Sequence, residues 1–234
     1  MYLSADLSDS LLTRNGLNLQ AIFDIHELPD DILLTLKTYY KKLDNYSQLI
    51  LLGNGGKTLW QALETSSIHS VNPVDDFTVK TIHDFFSTQT EHHKYKIIYP
   101  DDTPLGLQRL GELAGWHHPS PFKIGINTQW GSWFAYRAVI LSNTCYKVSS
   151  TIRENSPCNQ CHNKICIKTC PGMAIEEGEF KLERCVTFRK KTNSPCRYQC
   201  PSRLSCPVAE EQRYSKEQIR HHYSASMKII EEHY

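Results

Sequence analysis

Along residues 19–141 the hydrophobic positions switch between two periods. LQAIFDI (19–25) is an apolar run that predicts a strand, and PDDILLTLKTYYKKL (29–43) opens on a proline and two acids before placing Ile32, Leu33, Leu36 and Tyr39 or Tyr40 on one helical face. SQLILLG (47–53) reads as a buried strand ending at Gly53, and KTLWQALE after it as a helix. DDFTVKTIHDFFS (75–87) predicts a third helix, YKIIYP (95–100) a strand, and PLGLQRLGELAG (104–115) a fourth helix. FKIGI (122–126) and SWFAYRAVIL (132–141) predict two more strands. Strands separated by helices imply an α/β layer fold.

Beyond residue 150 the pattern changes to cysteines, short turns and few apolar runs. The end of the chain recovers order: in SKEQIRHHYSASMKIIEEHY, Ser215 and Gln218 have capping-box spacing, and Ile219, Tyr223, Met227 and Ile230 form one stripe, which predicts a packed terminal helix. The expected organisation is an α/β domain over 1–150 and a cysteine-rich domain over 151–234.

Composition narrows the class. The 234 residues are 40% hydrophobic, enough for a core without crosslinks. The first residues lack a basic segment followed by an apolar one, and no stretch approaches a membrane span, so a cytoplasmic protein is expected, with no membrane partner. Residues 1–157 carry 13 basic and 16 acidic side chains and residues 158–234 carry 13 and 9, halves of about −3 and +4 that nearly cancel. Such a balance gives no general case for nucleic acid.

Two tempting signals fail on their spacing. In LLGNGGKT (51–58) the first glycine of a phosphate-binding P-loop would fall on Leu51, and the dinucleotide fingerprint breaks at Thr58, leaving a tight strand-to-helix turn. The pairs His92–His93, His117–His118 and His221–His222 point in different directions along any regular element, unlike a two-histidine metal face. His117 and His118, on a loop between Trp116 and Pro119, are the pair best placed to line a pocket.

Nine cysteines in a chain of this kind argue for metal or redox chemistry, because reducing compartments keep thiols free. Eight of them, Cys158, Cys161, Cys166, Cys170, Cys185, Cys196, Cys200 and Cys206, fall within 49 residues; Cys145 stands apart. The run Cys158-x₂-Cys161-x₄-Cys166-x₃-Cys170-Pro171 is similar to the bacterial ferredoxin string, with two extra residues in its middle gap. A partial string, Cys196-x₃-Cys200-Pro201 and Cys206-Pro207, follows. Eight thiols suit two [4Fe–4S] clusters. Because the fourth cysteine of a ferredoxin run serves the other cluster, the expected sets are Cys158, Cys161, Cys166 and Cys206, and Cys170, Cys185, Cys196 and Cys200. One cluster with spare thiols, zinc and disulfides stay open as alternatives.

These cysteines resemble the iron–sulfur section of epoxyqueuosine reductases, which are cobalamin-dependent. The segment before them, LQRLGELAGW (107–116) and IGINTQWGSWFAYRAVIL (124–141), is similar both to those reductases and to the cobalamin-processing protein of methylmalonic aciduria type C. Its most specific part is Gly131-Ser132-Trp133-Phe134-Ala135-Tyr136-Arg137, close to the processing protein's G-G-W-F-A-x-R. The resemblance covers residues 95–206. It implies a flavin-reductase-like mixed sheet, followed by a small ferredoxin-like domain with a C-terminal helix. It further implies a cobalamin cradled by Gly131, Ser132, Trp133, Phe134, Tyr136 and Arg137, with clusters nearby to reduce its cobalt. An aromatic strand containing glycine would permit close approach of a flat macrocycle; the same pattern also describes an ordinary buried strand.

The reductases' D-x-x-P segment is matched by DDTP (101–104), which makes Asp101 the candidate proton donor; helix capping by Asp102 or Thr103 is the alternative use of that segment. The chain departs from the family in its cysteine spacings and in stopping where the reductases continue into helical repeats that grip tRNA. Residues 181–206, with seven basic side chains and only Glu183 as an acid, supply a patch for phosphates or for an acidic electron donor such as a flavodoxin.

The expected function is thus oxidoreductase chemistry: electrons from a reduced flavodoxin, ferredoxin or flavin reductase pass through two clusters to a corrinoid, for removal of its upper ligand or reduction of a substrate. A plain ferredoxin-like electron carrier is the alternative, and a tRNA-modifying reductase the third.

Overall fold

The computed structural model of the chain describes residues 7, 10–89, 92–101, 103–150, 154–176 and 179–234. Asp102, one of the two capping candidates, lies outside the described residues. The elements run α1 (Leu11–Arg14), β1 (Leu19–Asp24), α2 (Asp30–Tyr39), β2 (Gln48–Gly55), α3 (Thr58–Glu64), α4 (Pro73–Ser87), β3 (Tyr95–Tyr99), α5 (Leu107–Leu113), β4 (Phe134–Ser142), α6 (Ile165–Lys168), β5 (Ile175–Glu176), β6 (Glu179–Phe180), α7 (Leu182–Lys190), α8 (Pro201–Leu204) and α9 (Lys216–His233).

They divide into two compact units: residues 1–115 with 134–153, and residues 116–133 with 154–234. A single boundary near 150 is therefore too simple, because the cysteine-rich unit takes in a stretch that precedes the last long strand.

In the first unit the four strands form one sheet in the order β1-β2-β4-β3, every neighbouring pair antiparallel. The sheet implied as mixed is antiparallel throughout. Its central strand β2 is buried at every position, which accounts for the continuous apolar run of its sequence. Ile50, Leu52, Ile140, Leu59, Ile82 and Phe85 share one core cluster, where truncation of a Leu or Ile to Ala costs about 2–5 kcal/mol. α4 begins with Pro73 at its first position and Asp75 and Asp76 in its first turn, residues suited to an exposed helix N-terminus. α2 is shorter than its sequence period: Tyr40 leaves the helical backbone, and its hydroxyl meets Thr103 Oγ1 at 2.5 Å.

In LLGNGGKT, Gly53 and Gly55 extend β2, and only Gly56, at φ 70°, and Lys57 form the turn into α3. The Gly55 N–H donates to Asn18 Oδ1 (2.7 Å), and Asn18 Nδ2 donates back to the Gly55 carbonyl (3.1 Å).

In the second unit Ser215 caps α9 by accepting from the Gln218 N–H, as its sequence predicts. The α9 stripe divides its contacts. Ile219 and Tyr223 pack with Trp133 and Tyr214, while Met227 and Ile230 pack on Val186 of α7. The strand predicted over 122–126 does not form; only an isolated bridge joins Ile126 to His118. Lys123 takes a left-handed φ of 61°, which breaks an extended run.

Among the described residues no helix is long and apolar enough to cross a membrane.

Candidate functional site

The second unit gathers the cysteines into two sets. Cys158, Cys161, Cys166 and Cys206 face one pocket, walled by Pro121, Phe122, Ile126, Ile165 and Val208. Cys170, Cys185, Cys196 and Cys200 line a cavity of about 310 Å³ with Phe122, Ile124, Ile175, Phe180, Phe188 and Tyr223 among its apolar walls. These are the two groupings expected from the ferredoxin rule. The first pocket is tighter, with about 10 Å³ of free space.

Local geometry explains the crossing of the two runs. α6 carries Cys166 and delivers Cys170 to the second set, whereas α8 starts after Cys200 and delivers Cys206 to the first. The two short helices pack together, and Thr169 Oγ1 and Ser205 Oγ, each one residue before a crossing cysteine, share a hydrogen bond of 2.7 Å. Lys164 at φ 43°, between Cys161 and Cys166, and Met173 at φ 46°, just after Cys170, bend the chain within and beyond the first run.

The thiols of each set feel one another. Burial, then the Cys206, Cys158 and Cys161 sulfurs, push the Cys166 thiol up to about 11. Burial, then Cys200, Cys185 and Cys170, push Cys196 up to about 12. Cys158, Cys185 and Cys206 are raised as well, each chiefly by burial. Four thiolates held this close repel unless a positive centre lies between them, which is the electrostatic demand of a metal site.

All nine cysteines are unpaired thiols. Among the described residues no three His, Cys, Asp or Glu side chains converge as a single ion would require. Zinc–sulfur bonds of about 2.3 Å would bring four thiolates within about 4 Å of one another. A polynuclear cluster with bridging sulfides holds its thiolates farther apart, and four soft thiol donors per set suit such a cluster. When bound, such clusters supply one-electron transfer. The chain would present four soft donors to each, with Phe122 walling both sites and Phe180 and Phe188 the second.

The strand proposed to cradle a macrocycle is packed by the chain itself. Gly131, with φ 56°, would place a Cβ 2.3 Å from the Val208 carbonyl oxygen. Ser132 and Trp133 are buried: Arg203 Nη2 donates to the Ser132 carbonyl (2.5 Å), its guanidinium lies 4.2 Å from the Trp133 ring, and Tyr214 stacks edge-on against that ring. In the first unit Phe134 is buried, and Tyr136 fills the space a side chain at Gly111 would need. Gly131, Ser132, Trp133 and Phe134 are thus buried within their own units, whereas Tyr136 is half-buried.

Arg137 occupies a bulge. The pairing passes from Leu52–Ala138 to Gly53–Tyr136, leaving Arg137 as the extra residue, and its Nε donates to Asn54 Oδ1 at 2.5 Å. Asp75 and Tyr99 feel the same guanidinium. Burial raises the Asp75 pKa above its ordinary value, Arg137 pulls it down, and Asp76 adds to the rise. A carboxyl whose folded-state pKa is raised contributes stability below its unfolded pKa and loses it as pH rises through the folded one. Asp75→Asn is therefore expected to raise the melting temperature at pH 7, with the gain vanishing below about pH 3.8. Melts followed by circular dichroism against pH check this; a gain that persists in acid would contradict it.

Asp101 is exposed on the turn after β3, beside a shallow depression formed by Val79, His83, Tyr95, Lys96, Ile97 and Pro100. His117 is buried, and the His118 backbone pairs with Ile126. Within the basic stretch 181–206, Lys181 pairs with Glu179, Arg184 with Glu176 and Arg197 with Glu231 at the surface, while Arg189 and Arg203 are buried. Lys190 and Lys191 are left exposed.

No protein-family model matches the chain, and no curated protein matches it in sequence. Its fold is nonetheless found among solved structures. An epoxyqueuosine reductase bound to an epoxyqueuosine-modified tRNA-Tyr stem loop superimposes with a TM-score of 0.54 at 13% identity, over 89% of this chain and 66% of that one. The epoxyqueuosine reductase of Streptococcus thermophilus does so at 0.50 and 14%, over 85% and 64%. This chain thus spans less than two thirds of those reductases' length, and at such identity the likeness shows the fold alone. A reductive dehalogenase, described with a mechanism for B12-dependent dehalogenation, gives 0.45 at 14% identity over 80% of this chain and 28% of its own; that is too loose to carry weight.

Arg189, Arg203, the Thr169–Ser205 bridge and the Asn54 partner of Arg137 escape sequence reasoning, since no spacing rule marks them. The apolar alternation Phe122, Ile124, Ile126 was the visible signal for the cavity walls.

Proposed function

We propose that the chain is an iron–sulfur reductase component that binds two [4Fe–4S] clusters, one on Cys158, Cys161, Cys166 and Cys206 and one on Cys170, Cys185, Cys196 and Cys200. The observation that carries the proposal is the convergence of eight cysteines into two sets of four, with each run giving a cysteine to the other set. The fold shared with epoxyqueuosine reductases supports a reductive role over storage of iron. A reduced flavodoxin or ferredoxin is proposed as the donor, and Asp101 as a proton donor to the reduced substrate. A corrinoid is proposed as acceptor on the sequence resemblance.

The test is anaerobic reconstitution, expected to yield about eight irons and eight sulfides per chain on the two-cluster stoichiometry. Stoichiometric zinc without sulfide would sink the proposal. Titration of the reconstituted protein with hydroxocobalamin then decides the acceptor: a base-off spectral change followed by reduced cobalt supports a corrinoid reductase, and an unchanged cobalamin spectrum beside reducible clusters leaves an electron carrier.

A further inference from the structure

The second cysteine set is flanked by two buried cations. Arg189 is 8% exposed and Arg203 7% exposed, and both line the cavity of Cys170, Cys185, Cys196 and Cys200. Arg189 donates Nε to the Cys196 carbonyl (3.2 Å), Nη1 to Ser226 Oγ (3.0 Å), and Nη2 to the Tyr223 and Arg197 carbonyls (3.2 and 3.4 Å). Arg203 donates Nε to Ser132 Oγ (3.3 Å) and Nη2 to the Ser132 carbonyl, and its guanidinium lies over the rings of Trp133 and Tyr214. Every one of these partners is neutral. A buried guanidinium without a carboxylate is costly, and proteins bury charge where an opposite charge answers it.

The first set has no buried cation of this kind. Lys164 beside it is exposed, and Arg213, which donates to the Cys206 carbonyl at 3.3 Å, is paired with Glu210 at 3.3 Å. Among the described residues, the buried positive charge without a carboxylate partner around the thiols thus sits at the second set.

We infer that Arg189 and Arg203 are positioning residues that raise the reduction potential of the cluster on Cys170, Cys185, Cys196 and Cys200 above that of its neighbour, so that an arriving electron comes to rest there. The inference rests on the two-cluster proposal. A cluster ligated by four thiolates is anionic, and each reduction adds one negative charge. A fixed buried cation therefore stabilises the reduced form more than the oxidised one, the more so in a low-dielectric surround. The step is one electron leaving a low-potential one-electron donor and entering the cluster, with no bond made or broken.

The test is a dithionite redox titration of the full, anaerobically reconstituted chain, followed by electron paramagnetic resonance. Two waves are expected. Arg189→Gln and Arg203→Gln should each lower the upper wave by a factor of ten or more in its reduction equilibrium, about 59 mV for a one-electron couple, and leave the lower wave in place. Arg203→Lys, which keeps the charge, should stay near wild type, and Arg213→Gln should leave the upper wave unmoved. An upper wave unmoved in the glutamine variants, a shift of the lower wave instead, or a single unsplit wave in the wild type would each overturn the inference. Should Arg189→Gln lose the second cluster, the Gln and Lys variants of Arg203 decide. A wild-type protein without iron and sulfide defeats the two-cluster proposal itself, whereas an eight-iron protein with unmoved waves defeats only this inference.

Discussion

Cys170→Ser is expected to remove about half the iron and sulfide of the reconstituted protein, four of each on a two-cluster stoichiometry, and the cluster lost should be the one on the second set. Cys170 closes the first run in sequence, yet it lines the cavity of Cys185, Cys196 and Cys200. Cys206→Ser should do the converse, sparing the second set although it belongs to the later run, because its sulfur faces Cys158, Cys161 and Cys166. The signal sensitive to Arg189 identifies which cluster survives: it should vanish in Cys170→Ser and persist in Cys206→Ser. If each substitution instead abolished the cluster of its own run, the crossing would be wrong. If either one left eight irons, that thiol would not be a ligand.

The largest expected effect on stability falls on Gly131. An L-residue at its φ of 56° is strained by about 1–2 kcal/mol, and the added Cβ would stand 2.3 Å from a backbone oxygen that cannot swing aside. Together these place Gly131→Ala at about 3–5 kcal/mol, among the severe single substitutions, measured as a fall in the urea midpoint. Gly106→Ala, whose Cβ would come no nearer than 3.3 Å to the Arg109 side chain at an ordinary φ, is the control and should cost less than about 1 kcal/mol. A Gly131→Ala protein as stable as wild type would show that the Val208 segment yields. That segment follows Cys206 and Pro207, and a Val208 backbone hydrogen bond steadies the Cys206 sulfur. Strain at Gly131 should therefore also weaken the first set. A side chain at this position disturbs the fold itself, so it is a poor probe for a ligand pocket.

Much of this was legible in the sequence, for identifiable reasons. The cysteines announce themselves because they cluster locally and three of them are followed by proline. The terminal helix announces itself through Ser215, Gln218 and a stripe of period 3.6. Strand order was not legible, since β2 pairs with β4 across some eighty residues of chain and no local pattern encodes which partner a buried strand takes. At 122–126 the alternation of Phe122, Ile124 and Ile126 is real, but those side chains cover the two cysteine sites instead of a sheet. The ion pairs of the basic stretch 181–206 were not legible for a related reason. Its charges are read one by one in sequence, while the acids that answer them, Glu176, Glu179 and Glu231, lie outside the window.

The chain passes between its two units at 115/116, 133/134 and 153/154, and this bears on how the protein can be recombined. A cut at 150 would carry away all eight clustered cysteines and still leave behind Phe122, which walls both thiol sites, and Trp133, which anchors Tyr214 and Ile219. The thiol-bearing half is consequently no cassette. A transplant into another scaffold would succeed only if the 116–133 segment travelled with it, joined by a linker in place of the sheet strand that now separates the two pieces.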